Sequence, residues 1–199
     1  MNEYNYARPE IDSLGIKRVQ AGRYRGIAFE LVQWRSQLTP KDPAWDDGHW
    51  KSNYYIRIGE GQVPAEHLGD IFCHETYEHN GHATSYKYPP LLGQLMAWHG
   101  GMTYYTIHGG YDGFPRVVKA GCDYEHFFDR GYDYGMNKLL HDACETIDEL
   151  WLAAPWLLVW CQECRGYEPP AAEWDGSDPY YCTKCRLKRF ERAVTKGEQ

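Results

Sequence analysis

The chain has 199 residues, of which 43% are hydrophobic and 25% are charged, a composition that excludes a largely disordered protein. The formal net charge of −7 argues against a nucleic-acid footprint over the whole surface. No apolar run is long enough to span a bilayer, and the polar start Met1-Asn2-Glu3 does not resemble a secretory signal. We therefore expect a cytoplasmic protein without a membrane partner, whose seven cysteines are thiols or metal ligands.

The first half of the chain predicts strands rich in tyrosine. Residues 1–20 are predicted to be irregular. Residues 24–34 alternate in polarity and predict a strand, with Ile27, Phe29 and Leu31 on one face. Residues 53–58 predict a second strand, which we expect to pair with the first across an intervening loop. A short helix is expected at 64–68.

Residues 70–90 are predicted to be a loop, although they contain Cys73, His74, His79 and His82. His74 and His79 superficially resemble the histidine pair of a zinc-protease helix. They are five residues apart, however, whereas two histidines on one helical face need a spacing of four. We therefore interpret these side chains as ordinary loop residues.

The second half predicts a hairpin followed by a helix. Residues 99–107 and 116–122 read as two strands joined by a glycine-rich turn. Residues 136–154 predict an amphipathic helix, which Pro155 ends. The apolar positions that follow the helical period are Leu139, Leu140, Ala143, Ile147, Leu150, Trp151 and Ala154.

Two Cys-x-x-Cys pairs predict a metal site at the C-terminus. Cys161 and Cys164 are followed, after 17 intervening residues, by Cys182 and Cys185. This pattern is typical of a four-cysteine zinc ribbon, in which four thiolates hold a structural Zn²⁺ and leave no open coordination position. Strand-like residues precede both pairs. The fold class is thus α+β: a mainly antiparallel, Tyr-rich sheet packed by one long helix in residues 1–155, then a zinc ribbon with a basic tail in residues 156–199.

The tail from Lys184 onward contains six basic and two acidic residues. A solvated helix face is the preferred interpretation of this charge pattern. The alternative is that the ribbon presents the tail to nucleic acid or to a partner protein.

A second candidate site consists of His99, Asp123, His126 and Asp129. If the two strands of the predicted hairpin are antiparallel neighbours, His99 comes close to Asp123 and His126, and Gly100 and Gly101 allow a close backbone approach there. Three interpretations stay open: the acids cap turns, the cluster binds a ligand or metal, or an aspartate orients a catalytic histidine. A nucleophilic Cys122 beside Asp123 is a further, less favoured option.

Residues 99–104 and 119–129 resemble a pattern, HGG[I/L]T[Y/F] followed by GFDxAHxGD, in uncharacterised bacteriophage-encoded proteins. Cys122, Glu125 and Phe128 depart from it. The matching residues are His99, Gly100, Gly101, Thr103, Gly121, Asp123, His126 and Asp129. The resemblance implies a phage or prophage origin and, with it, the cytoplasm of a host.

Taken with the candidate site, the resemblance implies a phage-encoded accessory protein that binds a small polar ligand, such as a nucleotide, or a host protein, and so counters a host pathway. The ligand site would be lined by His99, Gly100, Gly101, Asp123 and His126. The first alternative is a hydrolase that uses the His/Asp cluster. The second is a zinc-ribbon module that binds protein or nucleic acid. The sequence leaves open whether the protein is an enzyme and what its oligomeric state is.

Overall fold

The structure is a computed structural model. It describes residues 5–6, 10–11, 17–35, 50–72, 75–79, 82–87, 89–110, 113–124, 134–172, 174, 176 and 179–195. The strands in this part of the chain are β1 (Asn5–Tyr6), β2 (Glu10–Ile11), β3 (Lys17–Tyr24), β4 (Ile27–Arg35), β5 (Trp50–Gly59), β6 (Glu75–His79), β7 (His82–Lys87), β8 (Tyr104–His108), β9 (Val117–Asp123), β10 (Val159–Trp160) and β11 (Tyr167–Glu168). The α-helices are α1 (Leu68–Phe72), α2 (Pro90–Gly93), α3 (Met136–Ala153) and α4 (Thr183–Thr195), and 3₁₀ turns occupy Glu60–Gln62 and Ala65–His67.

The main sheet is antiparallel throughout its described pairings. Its strands follow the order β1-β3-β4-β5-β9-β8. Strand β2 also pairs with β3. Tyrosines such as Tyr54, Tyr55 and Tyr104 lie on its central and edge strands. The predicted α+β fold with a mainly antiparallel, Tyr-rich sheet is confirmed.

The predicted pairing of the two early strands is confirmed, since β4 and β5 are antiparallel neighbours. Two other expectations are wrong. Residues 17–20 belong to β3, whose eight residues pair in unbroken register with β4. Residues 75–79 and 82–87, expected to be a loop, form the separate hairpin β6–β7. In both cases strand pairing outweighs a locally polar sequence.

One face of the sheet forms the core. Alternate residues of three central strands are fully or almost fully buried there: Ile27, Phe29, Leu31, Tyr54, Ile56, Ile58, Val118, Ala120 and Cys122. Helix α3 packs across β4 and β5 and buries Leu139, Ala143, Ile147 and Leu150 against this face. Each large apolar side chain buried in this way contributes about 1.5–3 kcal/mol. The predicted amphipathic helix is confirmed.

The opposite face of the sheet carries charge. The carboxylate of Glu30 accepts hydrogen bonds from Arg57 on the next strand and from Nζ of Lys119, at 2.8 Å. Lys119 Nζ also lies 3.9 Å from the ring centroid of Tyr55. Neighbouring strands are thus joined on this face by ion pairs and a cation–π contact.

A two-residue turn between β3 and β4 reaches helix α3. Arg25 and Gly26 both have positive φ, +47° and +74°, as tight hairpin turns require. The Arg25 guanidinium donates to Asp148 at 2.8 Å, and Tyr24 OH donates to the same carboxylate at 3.2 Å. One helical turn further on, Trp151 Nε1 donates to the Arg25 carbonyl at 3.1 Å.

Within the described residues, none of the helices is both long enough and apolar enough to cross a membrane.

Candidate functional site

The four C-terminal cysteines converge. Their sulfur atoms all lie within 4.8 Å of one another, with Cys164 and Cys182 Sγ 4.0 Å apart. Cys161 follows β10 directly, and a tight turn closed by the Arg165 N–H to the Cys161 carbonyl (3.0 Å) brings Cys164 back beside it. The group can therefore hold a metal ion, as the spacing predicts.

The second cysteine pair lies at the start of a helix. We expected strands before both pairs, and β10 does lead into the first. After Tyr181, however, the chain enters α4 within two residues, so that Cys185 lies in its first turn. The Arg186 N–H donates to the Cys182 carbonyl at 3.0 Å and begins the helical hydrogen bonding. The metal-binding group thus combines a hairpin and a helix.

Backbone N–H groups surround the buried sulfur of Cys161. Burial opposes ionisation of this thiol, but N–H groups of Cys164, Cys182 and Glu163 together lower its pKa to about 6. The Cys182 N–H lies 3.3 Å from this sulfur. At Cys185, burial raises the pKa to about 12, with hydrogen bonding to the other cysteines adding to the effect. A bound cation would favour the thiolate forms of Cys161 and Cys185.

Tyr180 anchors the segment between the two cysteine pairs. Its side chain is 2% exposed, its hydroxyl donates to the Pro169 carbonyl at 2.8 Å, and its ring meets the Trp174 ring edge-on. Buried residues on both sides of position 155, among them Leu150 and Val159, belong to one cluster. The division of the chain at 155/156 stays a prediction.

Helix α4 is solvated, as expected for the basic tail. Of its side chains described between residues 183 and 192, only Cys185 is buried. Leu187 and Phe190 are 59% and 69% exposed. They border an open depression of about 620 Å³ lined by Tyr181, Thr183, Arg186, Leu187, Arg189 and Phe190.

Contacts around α4 tie it to the first cysteine pair. The Arg189 guanidinium lies 4.2 Å from the Tyr181 ring centroid, and Arg192 forms an ion pair of 3.2 Å with Glu163. Glu163 stands between Cys161 and Cys164. Exposed ion pairs contribute little to stability, and the one buried side chain of α4 between residues 183 and 192, Cys185, belongs to the cysteine cluster.

The second candidate site is described in part. Strands β8 and β9 are antiparallel neighbours, as its prediction required, although the first begins at Tyr104, not at residue 99. His99 lies in the turn before β8 and stacks on Tyr124, with ring centroids 4.1 Å apart. Asp123 ends β9 and donates its backbone N–H to Thr103 Oγ1 at 3.1 Å.

His126 and Asp129 lie outside the described residues, so the convergence of the four side chains stays a prediction. Gly100 and Gly101 have positive φ, and a Cβ at Gly101 would meet no atom of the described residues within 4 Å.

Cys122 is poorly suited to be a nucleophile. Its side chain is 1% exposed, and burial raises the pKa of the thiol to about 12 despite hydrogen bonds with Tyr54 and the His99 backbone. Such a thiol stays protonated near neutral pH.

A buried polar network on α3 was not predicted. Asp142, which the helical period places away from the core, is 4% exposed and accepts hydrogen bonds from Tyr124 OH and from Lys138 Nζ, the latter at 2.6 Å. His141 and Glu145 lie near enough to form a second possible metal-ligand group with it. Asp142 is the buried carboxylate of this group, and the Lys138 ammonium compensates its negative charge without a metal ion. The four-residue spacing of Lys138 and Asp142 was the feature of the sequence that could have predicted this ion pair.

Comparison with known proteins adds no relatives, since neither a family model, a curated protein nor a solved structure matches the chain.

Proposed function

We propose that the four cysteines hold a structural zinc ion and that this ion fixes α4 as a helix that binds single-stranded nucleic acid. The observation that carries the proposal is the position of the second cysteine pair. It stands at the start of a solvated helix that exposes both cationic and aromatic side chains.

The donor set supports zinc. A tetrahedral ion about 2.3 Å from each of four sulfurs places those sulfurs about 3.8 Å apart. The measured 4.0 Å between Cys164 and Cys182 Sγ is close to this separation. Thiolates favour zinc over calcium, magnesium or manganese. Four protein ligands leave no coordination position for substrate, so the ion would stabilise the fold and not catalyse a reaction.

Charge and aromatic character support nucleic acid as the partner. Between residues 183 and 192, α4 carries one acidic residue, Glu191, against a set of cations: Lys184, Arg186, Lys188, Arg189 and Arg192. The remainder of the chain is acidic, so this helix is the main basic feature of the protein. Cations bind phosphates with release of counterions, and exposed rings such as Phe190 stack on unpaired bases.

The test is binding of the zinc-loaded protein to a labelled single-stranded oligonucleotide over a range of salt concentrations. We expect affinity to fall steeply with salt, and the triple variant Arg186→Ala, Lys188→Ala, Arg189→Ala to lose both the affinity and much of the salt dependence. Phe190→Ala should reduce binding to single strands more than to duplex.

The control is Arg57→Ala, which removes one exposed cation from β5, away from α4, and should leave binding unchanged. Binding that is absent at low salt, or unaffected by the triple variant, would rule out the nucleic-acid role. Zinc content measured on the same samples tests the metal assignment separately.

A further inference from the structure

A polar cleft lies between the main sheet and the hairpin that carries the first cysteine pair. It has a volume of about 340 Å³, within the range of small-ligand pockets. The lining residues are Arg23, Gly26, Val159, Trp160, Gln162 and Tyr167. Its floor is formed by buried groups, Gly26 and Val159, and its rim by more exposed polar and aromatic side chains.

Two aromatic rings meet in this cleft. Trp160 and Tyr167 are cross-strand partners on β10 and β11, with ring centroids 5.1 Å apart and planes at 69°. The Tyr167 ring packs closely against Gly61, where a Cβ would lie 2.4 Å from Tyr167 Cε2. The two rings therefore form an aromatic corner of the kind on which planar rings of ligands pack.

Polar groups complete the lining. The Arg23 guanidinium is positioned by one hydrogen bond, from Nη1 to the Gly26 carbonyl at 3.2 Å. A guanidinium carries five N–H donors, so this single bond leaves donors for an anion. Gln162 adds an amide, which can both donate and accept a hydrogen bond. A cation, an amide and an aromatic corner together match a ligand with an anionic group and a polar planar ring.

We propose that this cleft binds a nucleoside monophosphate, with the base against Trp160 and Tyr167 and the phosphate at Arg23. Gln162 hydrogen-bonds the edge of the base. The site goes beyond the nucleic-acid role of α4 and does not rest on it, because its lining shares no residue with that helix.

Its position also ties the cleft to the metal cluster. Trp160 and Gln162 flank Cys161 in sequence, and the Gln162 N–H donates to the Tyr180 carbonyl at 3.0 Å. The same short hairpin thus supplies two of the four cysteines and four of the six residues that line the cleft. Nucleotide binding should consequently weaken when the metal is removed, and a bound nucleotide should slow loss of the metal.

The experiment is isothermal titration of the zinc-loaded, full-length protein with AMP, adenosine and inorganic phosphate. We expect saturable binding of AMP, weaker binding of adenosine, and the weakest binding of phosphate alone. Arg23→Ala should weaken AMP binding about tenfold or more, the effect of losing a charge-assisted hydrogen bond. Gln162→Ala should weaken it by a smaller factor, and Arg23→Lys should fall between the parent and Arg23→Ala.

Arg57→Ala is the control, since it removes an exposed arginine of β5 that belongs to neither proposed site and should leave AMP binding unchanged. Circular dichroism of each variant checks that it is folded. The proposal is overturned if AMP does not bind, if adenosine binds as tightly as AMP, or if Arg23→Ala binds AMP like the parent. Assaying Arg23→Ala and the triple variant of α4 for both AMP and oligonucleotide binding separates failure of this site from failure of the nucleic-acid site.

Discussion

Helices α3 and α4 are attached to the same molecule by different chemistry. Helix α3 buries a stripe that includes Leu139, Ala143, Ile147 and Leu150, all with 0% exposure. In α4, the side chains described between residues 183 and 192 are exposed apart from Cys185. The first helix is held by buried apolar side chains, whereas the buried side chain of the second belongs to a cysteine group that can hold a metal ion. If the proposed zinc ion is bound, this segment, which has little core, would depend on it to fold.

The largest effect we expect is loss of the C-terminal structure when the metal cluster is broken. Cys182→Ser, or prolonged chelation of the parent, should release zinc because one of four ligands is lost. Elemental analysis should record the loss, and hydrogen exchange should speed up in α4 while α3 stays protected. The control Cys144→Ser changes a cysteine of α3 outside the cluster and should keep its zinc. Full zinc retention by Cys182→Ser would contradict the assignment.

Truncating a single core side chain of α3 should lower the stability of the protein substantially. Leu150→Ala should lower the free energy of unfolding by about 2–5 kcal/mol, because it leaves a cavity at a fully buried position. Urea denaturation followed by circular dichroism measures the change. Leu152→Ala is the matched control: that side chain is 84% exposed, and we expect a change within about 0.5 kcal/mol. Equal effects of the two would mean that apolar burial does not hold α3.

Packing within the sheet should be intolerant of a single methyl group. At Gly121 a Cβ would lie 2.4 Å from the Tyr54 carbonyl oxygen and 2.4 Å from Tyr55 Cδ1. Gly121→Ala should therefore cost about 1–3 kcal/mol, as other overpacked sites do. Gly69→Ala, on α1 with no atom within 4 Å of its Cβ, should be neutral or stabilising by up to about 1 kcal/mol. Thermal unfolding of the two variants would show whether an added methyl group destabilises the protein more in the sheet than on α1.

The smallest effect concerns an ion pair at the edge of the sheet region. Hydrogen bonds from the Arg116 side chain, followed by its backbone N–H, hold the pKa of Glu60 below its usual range. A lowered pKa stabilises the fold at neutral pH, and this contribution is lost as pH falls through the lowered value. Glu60→Gln should thus cost less than about 1 kcal/mol at pH 7. Urea denaturation at several pH values should show the difference from the parent shrinking in acid; a constant difference would argue against the charge effect.

Prediction from sequence succeeded where burial has a regular period. The alternation in β4 and the 3.6-residue spacing in α3 both predicted the buried faces, because one-sided burial imposes those periods on the chain. It failed where partners distant in sequence decide the structure. Strand β3 has a largely polar sequence, KRVQAGRY, and is a strand because β4 pairs along its full length. Asp142 is buried because Tyr124 and Lys138 satisfy its carboxylate.

The candidate sites divide in the same way. The cysteine cluster could be predicted because its ligand spacing is a local property of the sequence. That the second pair would lie on a helix was missed, since Tyr180 and Tyr181 read as a strand but Tyr180 is instead fixed through its hydroxyl to Pro169. The cleft could not be predicted, because Arg23 and Gln162 come together only through the contact between the β3–β4 turn and a distant hairpin.

The turn between β3 and β4 contacts α3 at two points and so influences how the helix is rotated about its axis on the sheet. Asp148 and Trp151 stand nearly one helical turn apart and both bind the same residue, Arg25. A slide of α3 by one position, or a roll about its axis, would disturb both contacts together, so the turn favours the observed register of the helix. A two-residue turn thereby helps to fix the position of an eighteen-residue helix.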